Sequence, residues 1–203
     1  MRLPRLTIAA LLATVALASG CGGDDEDAGP ERSELAENLA ATFEKAGVGT
    51  GDGRTYCLAL DDEGAGRVAE ALGIGGATFE DSANLIGTGS QDARVQCSFV
   101  PDTGDELPVG LVVRTTDDDL DEAVAPARDS SGRAAEITER TVDGLDDGTV
   151  VTLDQGGEYG QAVWVQDGVY VALGAPPETA DLDALLAALP VLVEEVDRTV
   201  ADD

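Results

Sequence analysis

The segment YGQAVWVQDGVYVALGA, residues 159–175, constrains the fold of this chain more than any other. Two alternating strands flank Asp167-Gly168, and this dipeptide suits the two-residue type I′ turn, in which both central residues have positive φ. The resulting register pairs Trp164 with Val171 on one face and Val165 with Tyr170 on the other. We therefore expect an antiparallel sheet.

A second hairpin is predicted upstream, in RVQCSFV (residues 94–100) and LPVGLVVRT (residues 107–115). An amphipathic helix follows each hairpin, so that the order hairpin then helix occurs twice, at residues 94–128 and 159–200. The predicted class is α+β, an antiparallel sheet with helices packed mainly on one face. The repeated order suggests two hairpin-helix half-units.

Capping residues and apolar spacing predict the other elements. Three helices have expected caps, namely Ser33, Asp61 or Asp62, and the acids Asp117–Asp119. Alternation predicts short strands at Tyr56–Leu60, Ile137–Val142 and Thr149–Leu153. The Gly-rich stretch from Gly73 to Ser90 is expected to be a surface loop, and Pro190 is expected to kink or split the last helix.

The N-terminus has the pattern of a cleaved export signal. Basic residues Arg2 and Arg5 precede an apolar run from Leu6 to Ala18, which at about thirteen residues is too short to span a bilayer. The tetrapeptide Ala18-Ser19-Gly20-Cys21 resembles the lipobox of bacterial lipoproteins. This resemblance implies a signal peptide over residues 1–20 and lipidation of Cys21 by diacylglycerol, with palmitate-type chains that anchor the protein to the extracytoplasmic face of the cell membrane. The alternative is plain secretion, with Cys21 left as an odd thiol.

Residues 21–32 follow the lipobox and are predicted to be a disordered acidic tether, because Gly, acids and Pro30 cannot bury enough apolar surface to fold. Asp24–Asp27 lacks the ligand spacing and central Gly of a calcium loop. One folded domain is then expected over residues 33–203.

The charge of the chain excludes one class of partner. It has 41 acidic and 12 basic residues, and loss of Arg2 and Arg5 with the signal would change the formal charge from -29 to -31. A body this acidic is repelled by nucleic acid. We therefore expect no nucleic-acid partner.

Cys57 and Cys97 are the cysteines of the predicted domain. Outside the cytoplasm an even pair is most simply a disulfide, which here would close a loop of about 40 residues. A redox pair is the alternative, although such pairs usually occur as C-x-x-C.

A second resemblance covers most of residues 54–200. The segments YCLALDDEGAGRVAEALGI, VQCSFV, VDGLDDGTVV and VWVQDGVYVAL resemble a family of uncharacterised actinobacterial cell-envelope lipoproteins with a two-cysteine α+β domain. Asp146 stands where that family usually has Gly, and Phe99 stands where Trp is common. The resemblance implies a location and a fold more than an activity, because that family has no agreed biochemical role.

The chemistry available to the chain argues against catalysis. It contains no His, the usual general base and a common metal ligand, and Lys45 is its only Lys. We therefore expect a non-catalytic binding or interaction protein, without cofactor or metal, that takes an unknown protein or small-molecule ligand. Its expected site is an uncovered sheet face around Trp164 and Tyr170, or the Gly73–Ser90 loop. A carrier of a lipid or other hydrophobic ligand and a two-carboxylate hydrolase are the alternatives.

Overall fold

A computed structural model describes residues 33–45, 56–81, 97–103, 106–130, 136–145, 149–154 and 156–201. The predicted signal peptide, the predicted tether and Cys21 lie outside these ranges.

The described residues form a seven-stranded antiparallel sheet and four α-helices, which confirms the predicted α+β class. The helices are α1 (Glu34–Lys45), α2 (Asp62–Ala71), α3 (Leu120–Ser130) and α4 (Leu182–Ala201). The strands are β1 (Thr78–Asp81), β2 (Cys97–Val100), β3 (Val109–Thr115), β4 (Glu136–Thr141), β5 (Thr149–Asp154), β6 (Gly160–Gln166) and β7 (Val169–Ala175). Their order in the sheet is β1-β2-β3-β7-β6-β5-β4.

The β6–β7 hairpin has the predicted register, with Trp164 opposite Val171 and Val165 opposite Tyr170. Asp167 and Gly168 both have positive φ, 45° and 89°, as a type I′ turn requires. This hairpin joins the two ends of the sheet, because β7 also pairs with β3 along six residues.

Three helices cover the first face of the sheet. α4 contributes the fully buried residues Leu185, Leu189 and Leu192, and α1 and α2 pack beside it. The helices pack against the strand side chains that point to this face. These include Phe99 of β2, Leu111 of β3, Trp164 of β6 and Leu173 of β7. This is the main core of the domain.

The second face is covered in part by α3. Val124 of α3 is buried against a smaller apolar cluster of strand residues, namely Val112, Val151, Leu153, Val163, Tyr170 and Ala172. Both predicted hairpin-helix units are present, but their helices lie on opposite faces of the shared sheet.

Side-chain caps begin each of the four described helices, because the first backbone N–H groups of a helix have no partner within it. The four caps with their N–H to oxygen distances are Ser33 Oγ to Ala36 at 3.2 Å, Asp61 Oδ1 to Gly64 at 2.6 Å, Asp119 Oδ1 to Glu122 at 2.9 Å, and Asp181 Oδ1 to Ala184 at 2.9 Å. The predicted caps at Ser33, Asp61 and Asp119 are therefore confirmed.

Two local predictions were wrong. Tyr56–Ala59 is a 3₁₀ turn and not a strand: Leu58 is exposed while Ala59 and Leu60 are both buried, so burial does not alternate. The Gly73–Ser90 stretch contains the edge strand β1, whose Phe79 lies opposite Phe99 of β2, with ring centroids 4.9 Å apart. A long-range aromatic contact stabilises a strand that is too short to show a sequence period.

α4 is one continuous helix, so Pro190 does not split it. It is the longest helix in the described ranges and runs beside α2, α1 and the central strands β6 and β7. Its burial against the sheet outweighs the backbone hydrogen bond that proline removes.

Candidate functional site

Trp164 and Tyr170 do not form the shared, uncovered binding face that we predicted. Trp164 is 6% exposed and lies in the main core beneath the helices. Tyr170 is 8% exposed and lies on the second face, in the cluster that α3 covers. The two side chains project from opposite faces of adjacent strands, because residues directly opposite each other share a face and neighbours along a strand do not.

Tyr170 lies under a cation. The guanidinium carbon of Arg114 is 4.4 Å from the centroid of its ring, and Arg114 also approaches Asp118, with Nη2 to Oδ2 at 3.6 Å. This arrangement connects β7, β3 and the residues that precede α3. It stabilises the second face and leaves the Tyr170 ring no open side for a ligand.

A pocket lies at the end of the sheet opposite the Asp167-Gly168 turn. We call it the sheet-end pocket. Its volume is about 290 Å3, and it is lined by Asp154, Gly157, Tyr159, Gly160, Pro177, Ala180, Asp181, Leu182 and Asp183. These residues come from the end of β5, the start of β6, the segment after β7 and the start of α4. The lining is mostly apolar and includes the carboxylates of Asp154, Asp181 and Asp183.

Two of the pocket carboxylates have structural partners. Asp154 Oδ1 accepts a hydrogen bond from the Gly157 N–H at 2.7 Å, which holds the β5–β6 turn, and Asp181 caps α4. Asp183 is exposed on the first turn of α4. In the described residues no group of three or more Asp, Glu, Cys or His is arranged to hold a metal ion.

Tyr159 forms one wall of the pocket and lies across the sheet at Gly174. A Cβ atom built on Gly174 would be 2.3 Å from the Tyr159 hydroxyl oxygen, so only glycine leaves room for the ring. Burial raises the pKa of Tyr159, and the nearby Tyr170 adds to this shift. Tyr159 is therefore a neutral aromatic wall at ordinary pH.

A second charged cluster joins α2 to α4, well away from the pocket. Glu195 is 6% exposed and accepts hydrogen bonds from both Arg67 and Arg198. Arg198 also donates to both carboxylate oxygens of Asp61, at 2.8 Å each, and Arg67 donates to Glu63 at 2.6 Å. We call this set of five residues the α2–α4 ion cluster.

The ion cluster favours the charged form of its acids. Hydrogen bonds from Arg67, more than those from Arg198, lower the pKa of Glu195 although burial opposes this. The Gly64 N–H and then Arg198 lower the pKa of Asp61. A general acid needs a raised pKa, so neither carboxylate has the property that the general acid of a two-carboxylate hydrolase requires.

No protein-family model, no curated protein and no solved structure matches this chain. No relative therefore supplies a role for any residue of the pocket or of the ion cluster.

Cys97 is fully buried at the start of β2, in the main core. Cys57 lies in the 3₁₀ turn, and its side chain is outside the described part of the chain. Their disulfide stays a prediction. None of the helices in the described ranges combines the length and the apolar character needed to cross a membrane.

The sequence did not indicate the pocket. Its residues come from two stretches that are distant in sequence, 154–160 and 177–183, and the Gly and Asp residues among them have ordinary turn and cap patterns. Tyr159 was visible only as the first residue of the predicted hairpin segment. Its position over Gly174 depends on the pairing of β6 with β7, which puts Gly174 opposite Gln161.

Proposed function

We propose that this protein is a lipid-anchored, extracytoplasmic binding or interaction protein without catalytic activity, and that the sheet-end pocket takes part in binding. The lipobox and the likeness to actinobacterial envelope lipoproteins support the anchor. The geometry of the domain supports the role of the pocket.

One observation carries the proposal: the N-terminus of α1 is attached to the β6–β7 turn. The backbone N–H and the hydroxyl of Ser33 both donate to the Asp167 carbonyl oxygen, at 2.9 Å and 3.2 Å. The anchored segment thus joins the domain at the turn end of the sheet.

The pocket is at the other end of the same strands. The seven residues of β6 separate it from the turn by about 23 Å, at about 3.3 Å per residue. Twelve tether residues reach at most about 40 Å when fully extended. As a flexible coil the same twelve residues span only about 20 Å on average, less than the separation of the turn from the pocket, so the tether favours the orientation in which the pocket faces away from the membrane.

The described acids support a binding role over a catalytic one. Asp154 and Asp181 hold a turn and a cap. The Gly64 N–H and Arg198 lower the pKa of Asp61, and Arg67 and Arg198 lower the pKa of Glu195. The apolar residues of α4 that a lipid carrier would need around a cavity, such as Leu185 and Leu189, are fully buried against the sheet. The pocket lining has a single Leu and no Val.

The anchor is tested by expressing the full chain and its Cys21→Ser variant in a bacterium that processes lipoproteins. We expect the unchanged chain in the membrane fraction, with an intact mass that shows loss of residues 1–20 and gain of acyl chains. The Cys21→Ser variant should lose both the acyl mass and the membrane association. Retention of residues 1–20 without an acyl adduct would refute the anchor.

The pocket is tested with two charge reversals on the same helix, Asp183→Arg at the pocket and Asp197→Arg far from it. Both residues are exposed, so neither change should prevent folding, and the loss of the helix-dipole interaction at Asp183 should cost about 1 kcal/mol or less. Ligands from a metabolite screen and proteins cross-linked on intact cells should bind the unchanged protein and Asp197→Arg, but not Asp183→Arg. Equal binding by all three would remove the pocket from the proposal.

A further inference from the structure

The outer edge of β4 is open in the described part of the chain. β4 is an end strand of the sheet and pairs with β5 through all six of its residues. It contains neither Pro nor Gly, and the helices pack mainly over β3, β6 and β7, away from this edge. An unpaired edge has free backbone donors and acceptors that can add another strand.

Arg140 on this strand differs from the other arginines whose side chains are described. Arg67, Arg114 and Arg198 each pair with a carboxylate, whereas the Arg140 side chain makes no ion pair or hydrogen bond within the described structure. The full chain contains 41 acids for 12 bases, so a base without an acidic partner is unusual. Arg140 is exposed and free to pair across the edge.

We infer that β4 is a self-association edge, at which a second copy of this chain pairs antiparallel, strand to strand. A two-fold axis perpendicular to the sheet keeps each residue opposite a residue of the same face. Centred on Thr138, this pairing places Glu136 of each copy opposite Arg140 of the other. Two cross-strand pairs of opposite charge then form, and the two Thr138 residues meet at the axis.

Charge favours this register over its neighbours. A pairing centred on Ile137 would place Glu136 opposite Thr138 and form no Glu136–Arg140 pair. A pairing centred on Glu139 would oppose two glutamates, and one centred on Arg140 would oppose two arginines, both of which are unfavourable. The other end of the sheet is unsuited, because the charged residues of β1 are Glu80 and Asp81, both acids. Edge charges normally discourage pairing, but Glu136 and Arg140 have opposite signs four residues apart on one face.

The first experiment swaps these charges in the mature chain, residues 21–203, carrying Cys21→Ser. The dissociation constant of the dimer is measured by sedimentation in about 0.15 M salt. At this concentration the Debye length is about 8 Å, so the salt reduces the general repulsion between the acidic chains. We expect a concentration-dependent dimer, with dissociation constants about tenfold or more higher for Glu136→Arg and for Arg140→Glu. The double variant should dimerise like the parent, because the pairs form with reversed sign.

The control is Glu139→Arg, which changes the charge as Glu136→Arg does but lies on the other face of β4, opposite Ile137 of the second copy. It should weaken the dimer much less than Glu136→Arg. A chain that stays monomeric at all concentrations, or a dimer that Arg140→Glu does not weaken, would overturn the inference.

The second experiment tests the register with single cysteines. Thr138→Cys places two sulfurs at the axis, where facing Cα atoms are about 4.5–5.5 Å apart, within the range of a disulfide. Thr141→Cys on the same strand is the control, because its two copies are about 20 Å apart in this register. Mild oxidation should cross-link Thr138→Cys and not Thr141→Cys. Equal cross-linking of both would exclude this pairing.

Discussion

Gly174 shows how a single missing side chain positions a wall of the pocket. The Tyr159 ring passes over this residue, with its hydroxyl oxygen, Cζ and Cε1 all within 3.0 Å of the place where a Cβ would stand. Gly174 is in β7, between β3 and β6, so neither neighbouring strand can move away easily. The glycine is a steric requirement of the fold.

Gly174→Ala should therefore destabilise the domain by about 1–3 kcal/mol, the usual cost of overpacking. Tyr159→Ala should remove most of this penalty in the double variant, because it removes the ring that clashes. Gly66→Ala is the control, since a Cβ added there would have no atom within 4 Å and the residue is in a helix, where the change should stabilise by about 0.5–1 kcal/mol. Urea unfolding of Gly174→Ala, Tyr159→Ala, the double variant and Gly66→Ala measures the direction of each change in the free energy of unfolding. If Gly174→Ala cost the same with and without Tyr159, the contact would not be the cause.

At the scale of elements, the α2–α4 ion cluster is the polar connection between two helices of the main core. Glu195 is at its centre with two arginine partners, and Asp61 serves both as the cap of α2 and as a partner of Arg198. Arg67 and Arg198 are each over a third exposed, so water screens them and lowers the energy of each pair. The cluster therefore contributes to folding stability mainly by pairing the charge of the buried Glu195.

We expect Glu195→Gln to lower the free energy of unfolding at pH 7 by about 1–3 kcal/mol, less than for a fully buried pair because the arginines are hydrated. The pKa of Glu195 is lowered in the folded state, so its stabilisation is complete above the ordinary glutamate pKa of about 4.3 and disappears as the pH falls through the folded value. Denaturant unfolding from pH 7 down to pH 3 should therefore show a difference between the two proteins that shrinks as the pH falls.

Glu194→Gln is the matched control, because this neighbouring residue is exposed and makes no contact in the cluster. Its stability should stay within about 0.5 kcal/mol of the unchanged protein at every pH. A constant difference between Glu195→Gln and the unchanged protein across this pH range would contradict the assigned role of the charge.

At the scale of the whole molecule, the net charge of -29 is the dominant electrostatic fact. With 41 acids and 12 bases, most carboxylates have no cation to pair with, so repulsion among them exceeds the attraction within the few ion pairs. Self-repulsion of this kind destabilises the compact state.

Added sodium chloride should therefore stabilise the folded chain. We expect the melting temperature to rise between about 0.02 M and about 0.5 M salt, because screening shortens the range of the repulsion. Glucose at matched osmolality controls for effects unrelated to charge. A melting temperature that falls with salt would mean that the ion pairs outweigh the net repulsion.

Local patterns predicted much of the architecture, and the particular residues show why. The type I′ turn at Asp167-Gly168 needs positive φ at both residues, and few dipeptides allow it. The caps at Ser33, Asp61 and Asp119 depend on side chains that reach N–H groups only three residues away. The segment Tyr56–Leu60 was misassigned, since five residues are too few to distinguish a strand from a 3₁₀ turn.

The candidate site could not be predicted in the same way. Trp164 and Tyr170 were assigned to one open face although their own register placed them on opposite faces, and the burial of each follows from which helix packs there. The pocket brings the β5–β6 connection, residues 154–160, against the β7–α4 connection, residues 177–183, and no local spacing relates these two stretches.

The amino-acid sequence by itself determined the period of each main strand and helix, the hairpin turn, the caps and the acidic character of the chain, because these depend on neighbours a few residues apart. Only the tertiary structure decided that α3 lies opposite the other helices, that Tyr159 lies over Gly174, and that β4 remains an open edge in the described part of the chain. These features depend on contacts between distant segments, where the packing of a whole sheet selects among many local conformations of similar energy.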